Sequence, residues 1–89
     1  MVRMFVRHTV ADYGKWRTEY DAFENTRQAA GVTGTGVYRN AIEPNDVTAY
    51  HDFDSLEAAQ ALAGSSDLRE AMGRAGVVGA PQVWFTEQV

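Results

Sequence analysis

An α+β fold, with helices laid on one face of a four-stranded antiparallel sheet, is what this sequence predicts, and three observations carry the prediction. Period-two alternation recurs at Met1–Val10, Val32–Ile42, Val47–Phe53 and Gln82–Thr86, with the β-branched and aromatic residues that strands favour. Between the first two stretches, Tyr13, Trp16, Tyr20 and Phe23 recur at steps of three, four and three residues, the spacing of one stripe on a 3.6-residue helix. Cap and turn residues punctuate the joints at Asp12, Gly31, Glu43-Pro44-Asn45-Asp46, Asp54-Ser55 and Gly64.

In the first strand Val2, Met4, Val6, His8 and Val10 share a face, opposite Arg3, Phe5, Arg7 and Thr9. One face is apolar except for His8, and the other is mixed. Asp12 is placed to cap a single helix running to Ala30, with Arg27 and Ala30 extending the aromatic row and Gly31 as its stop. Lys15–Glu19 and Arg17–Asp21 are opposite-charge pairs four residues apart on the outer side. The second strand sets Val32, Gly34, Gly36, Tyr38 and Asn40 against Thr33, Thr35, Val37 and Arg39. Its glycines leave room for a neighbouring backbone, a bulge or a ligand. They do not form a phosphate loop, because the run leads into a strand and not a helix. In the third strand Val47, Ala49, His51 and Phe53 oppose Thr48, Tyr50 and Asp52. Asp54 or Ser55 caps a helix over Leu56–Ala63, with Glu57 three residues after Asp54 as in a capping box. A short helix follows from Ser66 or Asp67, its inner face Leu68, Ala71, Met72 and Ala75. Pro81 precedes the last strand, where Val83 and Phe85 oppose Gln82, Trp84 and Thr86.

Eighty-nine residues with 45% hydrophobic and 22% charged side chains suit one globular domain, residues 1–89. A chain this short buries only about 60 to 65% of its unfolded surface. Without cysteine it has no disulfide or thiolate site, and two histidines in different segments are thin support for a metal. Self-association is the remaining source of burial. A net charge of −4, with its eight Lys and Arg scattered, argues against a nucleic-acid partner. No apolar run approaches the roughly 20 residues of a membrane span, and Met1-Val2-Arg3-Met4 does not read as a signal peptide. The expected location is cytoplasmic.

The order β-α-β-β-α-β, with the second helix broken, is the split βαβ or ferredoxin-like arrangement. Val2, Met4, Val6, Val47, Ala49, Phe53, Val83 and Phe85 should meet the helices. The other face is expected to hold Phe5, Arg7, Val37, Arg39, Tyr50, Asp52 and Trp84. That face is too aromatic to stay bare. A second copy of the chain would cover it, with Arg7, Arg39 and Asp52 as polar contacts that set register.

The chain resembles the dimeric α+β barrel superfamily, and within it a group of small bacterial proteins. The residues that carry the resemblance are Val6-Arg7-His8 through Asp12-Tyr13 to Trp16, then Val37-Tyr38-Arg39-Asn40 with Pro44-Asn45. Ser66-Asp67-Leu68-Arg69-Glu70-Ala71-Met72, Ala75-Gly76-Val77 and Pro81 complete them. Members of the superfamily include cofactor-free monooxygenases of antibiotic biosynthesis, polyketide cyclases, stress-responsive barrel proteins, haem-degrading enzymes and muconolactone-type isomerases. The resemblance implies a homodimer whose two sheets close into one barrel, and a ligand held in each subunit between sheet and helices.

His8 and His51 are the isolated polar side chains on apolar strand faces. Each is either a core histidine with one ring nitrogen bonded or a base in a pocket, since imidazole titrates nearest neutral pH. The superfamily's cyclases use a histidine base, which favours His8 and His51 as catalytic residues. Trp16, Tyr20, Phe23, Leu68 and Met72 lie at helical spacing on inward faces. They are core, or the wall of a pocket for a flat aromatic ligand that Tyr20 or Tyr38 hydroxyls would orient. The cofactor-free monooxygenases place Asn, Trp, Tyr and Arg around a polycyclic phenol, types that Asn40, Trp16, Tyr38 and Arg39 would supply. No serine stands on a strand-to-helix elbow, and the carboxylates lie on helix surfaces or caps. The expected function is therefore cofactor-independent cyclase- or isomerase-type chemistry on a small aromatic or polyketide-like molecule. The alternatives are a cofactor-free monooxygenase, a non-catalytic ligand-binding or stress-type barrel, and a haem-handling enzyme.

Overall fold

A computed structural model describes residues 1–89. Strand β1 (Val2–Val10) leads through helices α1 (Tyr13–Ala22) and α2 (Glu24–Ala29) to β2 (Gly34–Arg39) and β3 (Asp46–Phe53). Helices α3 (Leu56–Ala63) and α4 (Ser66–Arg74) follow, then β4 (Val77–Glu87). The strands form one antiparallel sheet in the order β2-β3-β1-β4, the ferredoxin-like α+β arrangement that the alternation predicts. Helices cover one face. Beneath them Val2, Met4, Val6, Phe23, Phe53, Ala59, Leu62 and Ala71 form one buried cluster. Val10, Trp16, Val47 and Ala75 form a second. Phe85 packs against the first, but Val83, expected in the core, is more than one-third exposed near the uncovered edge of the sheet.

Local chemistry explains the helix ends. Asp12 accepts from the Gly14 N–H at 2.9 Å and starts α1. Instead of one helix to Ala30 there are two, parted at Phe23, whose N–H is shared between the Glu19 and Tyr20 carbonyls at 3.1 and 3.2 Å. The Arg27 guanidinium also donates to the Tyr20 carbonyl, at 2.5 Å, so a side chain competes for helix hydrogen bonding at the break. Helix α2 ends in a Schellman motif: Val32 N–H reaches Arg27 O and Gly31 N–H reaches Gln28 O, with Gly31 at φ 96°. Ser55, not Asp54, caps α3, through the Ala58 N–H at 3.2 Å. Helix α4 starts at Ser66, one of the two expected starts, and Ser65 caps it by accepting from the Leu68 N–H at 3.1 Å.

Two strand expectations change. The last strand begins at Val77, not Gln82, and contains Pro81; an edge strand tolerates a proline, which has no N–H to give the ladder. Its pairing with β1 slips between Arg7 and Thr9, where Gly79, Ala80 and Pro81 bulge out opposite His8. Strand β2 has the reverse phase from the one assigned. Val37 pairs with Ala49 and Arg39 with Val47, so both lie on the helix side and not on the open face. Val37 packs on the Trp16 cluster, and the Arg39 guanidinium lies 3.9 Å from the Tyr13 ring centroid. Gly34, Gly36 and Tyr38 take the open face. A Cβ on Gly36 would stand 2.4 Å from Tyr50 Cε2, so the missing side chain is what lets the Tyr50 ring lie flat over β2.

Across the open face run Tyr38 of β2, Tyr50 of β3, Phe5 of β1 and Trp84 of β4. Phe5 stacks on Trp84 with centroids 5.3 Å apart and planes 14° from parallel. Tyr50 stands 6.4 Å from both Phe5 and Tyr38. Bidentate pairs flank the row: Arg3 with Asp52 at 2.7 and 3.0 Å, and Arg7 with Asp46 at 3.0 and 2.7 Å. No helix is long and apolar enough to cross a membrane.

Candidate functional site

The helix-covered side of the sheet holds a cavity between β1 and β3 below and α1, α2 and α4 above. It is narrow, with a cavity volume of about 50 Å3, and opens to solvent at its mouth. The walls are mainly apolar, built from Val6, Trp16, Phe23, Ala49, Leu68, Ala71, Met72 and Ala75. The polar atoms come from His8, His51, Arg27, Tyr20 and Glu19.

Strand alternation sends both imidazoles inward. His8 pairs across the ladder with Val47 and His51 with Met4, so the two rings stand four residues apart along the sheet. Each residue is 6% exposed. His8 finds no hydrogen-bond partner at either ring nitrogen, and His51 finds none at Nδ1. These are not core histidines tied to backbone. The Trp16 indole meets His8 edge-on at a centroid distance of 5.6 Å. Burial lowers the His8 pKa, partly opposed by Asp46. Burial lowers His51 further, to about 4, helped by the positive charge of Arg27 and opposed by Asp52. Both rings are therefore neutral at pH 7, able to accept a proton.

Trp16, Tyr20 and Phe23 line the cavity as the helix spacing predicts, and Leu68 and Met72 close it from α4. Trp16 and Tyr20 stack at 4.9 Å. The Tyr20 hydroxyl is already engaged. It bonds the Thr35 hydroxyl, whose own proton goes to the Tyr50 carbonyl at 2.8 Å, so Tyr20 donates to β2 and is not free to donate to a ligand.

Tyr38 and Asn40 do not reach this cavity, contrary to their assignment as ligand contacts. Tyr38 is 64% exposed on the opposite face. Asn40 binds the Asp46 carboxylate and accepts the N–H groups of Ile42 and Glu43, which ties down the β2–β3 turn. The reversed phase of β2 removes Tyr38, and the polar turn claims Asn40. The set Asn40, Trp16, Tyr38 and Arg39 accordingly does not converge.

The residue that sequence reasoning passed over is Arg27. It is 4% exposed, stacks its guanidinium 3.9 Å from the Tyr20 ring centroid and lines the cavity. The signal was present, since Arg27 stands in the same helical row as Trp16, Tyr20 and Phe23. A charged residue in an apolar row is usually taken to reach outward with its head in water, and here it does not. No group of three His, Cys, Asp or Glu is placed to hold a metal ion.

No family model matches the chain, and no curated protein matches it. Solved structures share its fold. A candidate antibiotic biosynthesis monooxygenase from Bordetella bronchiseptica superposes with a TM-score of 0.85 at 16% identity, over 99% of this chain and 96% of that one. SnoaB from Streptomyces nogalater, a cofactor-independent oxygenase solved as a variant, gives 0.77 at 12% identity over 98% and 91%. Rv0793 from Mycobacterium tuberculosis gives 0.72 at 15% identity over 99% and 94%. These likenesses show the fold: the ferredoxin-like α+β arrangement is shared with structures described as antibiotic biosynthesis monooxygenases and as a cofactor-independent oxygenase.

Proposed function

We propose that this protein is a homodimeric α+β barrel that binds a small aromatic or polyketide-like molecule in the cavity and moves a proton on it without a cofactor, closing a ring or isomerising. The observation that carries this reading is the pair of buried, neutral imidazoles, in which both ring nitrogens of His8 and Nδ1 of His51 are buried without a partner in the protein. A buried polar atom left unpaired costs stability, and a substrate O–H or an acidified C–H would supply the missing partner. His51 accepts the proton at a ring nitrogen and returns it to another substrate atom, so the imidazole ends as it began. The apolar walls exclude water from the intermediate. The narrow space suits one flat ring edge reaching in from the mouth, and is too small for a porphyrin.

The dimer places a second copy over the aromatic row. Trp84 remains 41% exposed, and the flanking arginines are already paired with Asp52 and Asp46. A twin sheet could therefore settle there without burying an unpaired charge. One specific observation favours a second reading, oxygenation of a phenol: SnoaB shares the fold and is a cofactor-independent oxygenase.

Exchange of the activated C–H protons of acetylacetone in D2O, followed by proton NMR, tests the first reading. The wild-type protein should accelerate exchange, and His51→Ala should lose about 100-fold or more of that rate. Equal rates for wild type, His8→Ala and His51→Ala would remove proton transfer. Oxygen uptake with a dihydroxynaphthalene, undiminished in His51→Ala, would favour the oxygenase. Saturable binding of either probe with no turnover would leave a ligand-binding barrel.

A further inference from the structure

We propose that Arg27 makes the cavity a site for an anion-bearing ligand, the carboxylate or ionised hydroxyl of a small aromatic molecule, with its guanidinium as the counter-ion. The inference rests on the cavity being the ligand site and names the substrate class it takes.

Arg3, Arg7, Arg17 and Arg74 each have a carboxylate within 3.4 Å or closer. Arg27 is the most buried arginine, and no carboxylate lies within ion-pairing distance of it. A guanidinium stays protonated when buried, so the charge persists. One N–H donor is spent on the Tyr20 carbonyl and the plane rests on the Tyr20 ring. Those contacts fix the group in place without neutralising it. The neighbouring imidazoles are neutral, and Glu19, the carboxylate in the wall, faces Arg74 at 3.4 Å. An uncompensated cation in an apolar cavity is a strong attractor for one oxyanion. The free space admits that head group, and the remainder of the ligand would lie toward Leu68 and Met72.

Binding would also act on the base. Burial lowers the His51 pKa most, Arg27 lowers it further and Asp52 raises it; the Tyr20 ring stands 6.2 Å from His51. An anion offsetting the Arg27 charge would raise His51 toward the range where a general base works best.

Benzoate and benzamide, nearly equal in shape and different in charge, test the assignment by NMR titration of the Trp16 indole and His51 imidazole signals. Benzoate should bind at least tenfold more tightly than benzamide and shift the His51 titration upward. Arg27→Lys should keep that preference and Arg27→Gln should abolish it. Equal affinities in the wild-type protein, which needs no variant to fold, would overturn the proposal. So would an undiminished benzoate preference in Arg27→Gln. If benzoate binds through Arg27 while His51→Ala leaves proton exchange unchanged, the anion site stands and the catalytic reading falls.

Discussion

The two faces of one sheet treat polar groups in opposite ways. On the open face every arginine beside the aromatic row has its acid: Arg3 holds Asp52 and Arg7 holds Asp46, each with two hydrogen bonds. On the helix-covered face, with far less access to water, His8, His51 and Arg27 lack such partners. Solvation alone would favour the reverse, because unpaired polar groups cost least where water reaches them. The contrast separates two purposes. Under the proposed function, the open face awaits a second copy with its charges already paired, whereas the cavity leaves its polar groups for a ligand to pair.

The largest effect expected from breaking this contrast is in the core. Phe53→Ala, at a fully buried site, should cost about 3 to 5 kcal/mol in urea unfolding, independent of protein concentration. Phe5→Ala on the open face should instead act through association. Its unfolding midpoint should stop rising with concentration, as it does for a dimer, and sedimentation should show the single subunit. A concentration-independent midpoint in the wild-type protein would remove the second copy from the open face.

Acid comes next. His51 falls from its ordinary value of 6.5 to about 4 on folding, so between those values the unfolded chain binds more protons than the folded one. Stability is then full above about pH 6.5 and declines as pH falls toward 4, with His8 contributing in the same direction. Between pH 7.5 and 5, urea unfolding should lose about 2 kcal/mol. His51→Phe should flatten most of that slope, and an unaltered slope would mean that the ring is not buried neutral.

Gly36→Ala should cost about 1 to 3 kcal/mol through overpacking, since the added methyl displaces the Tyr50 ring. Its mark is loss of dimer with the cavity intact, read as weakened association and unchanged benzoate binding. The smallest pair of effects compares arginines across the sheet. Arg7→Gln breaks a solvent-exposed ion pair and should leave the urea midpoint almost unmoved. Arg27→Met removes a buried cation that lacks an acid, and should leave stability level or raise it by about 1 kcal/mol. A loss of several kcal/mol at Arg27 would show that it serves the helix break and not a ligand.

How far these features were legible varies along the chain. Asp12, Gly31 and Ser55 act within a turn or two of their own position, and each does what its residue type suggests. His8, His51, Trp16, Tyr20, Phe23, Leu68 and Met72 reach one cavity because their elements have a strong apolar side that can point only one way. Tyr38 and Asn40 were misplaced because β2 has no such side. Gly34-Gly36-Tyr38 and Thr35-Val37-Arg39 are equally plausible inward, and a strand shows its period but not its phase when neither half is clearly apolar. Phe23 shows the same limit in a helix: its spacing is correct, yet the break falls there, where the Phe23 N–H is shared between two carbonyls and Arg27 reaches back to the Tyr20 carbonyl.

By itself the sequence determined the periods, the order of elements, most of the caps and a sheet with two apolar-leaning faces, all of which follow from spacing between near neighbours. Only the tertiary structure decided which way β2 turns its side chains, that Tyr50 rather than a ligand fills the space over Gly36, and that Arg27 has no acid within reach. Those outcomes depend on which distant residues share a volume, and pairing across a sheet is settled by packing that no single stretch of chain encodes.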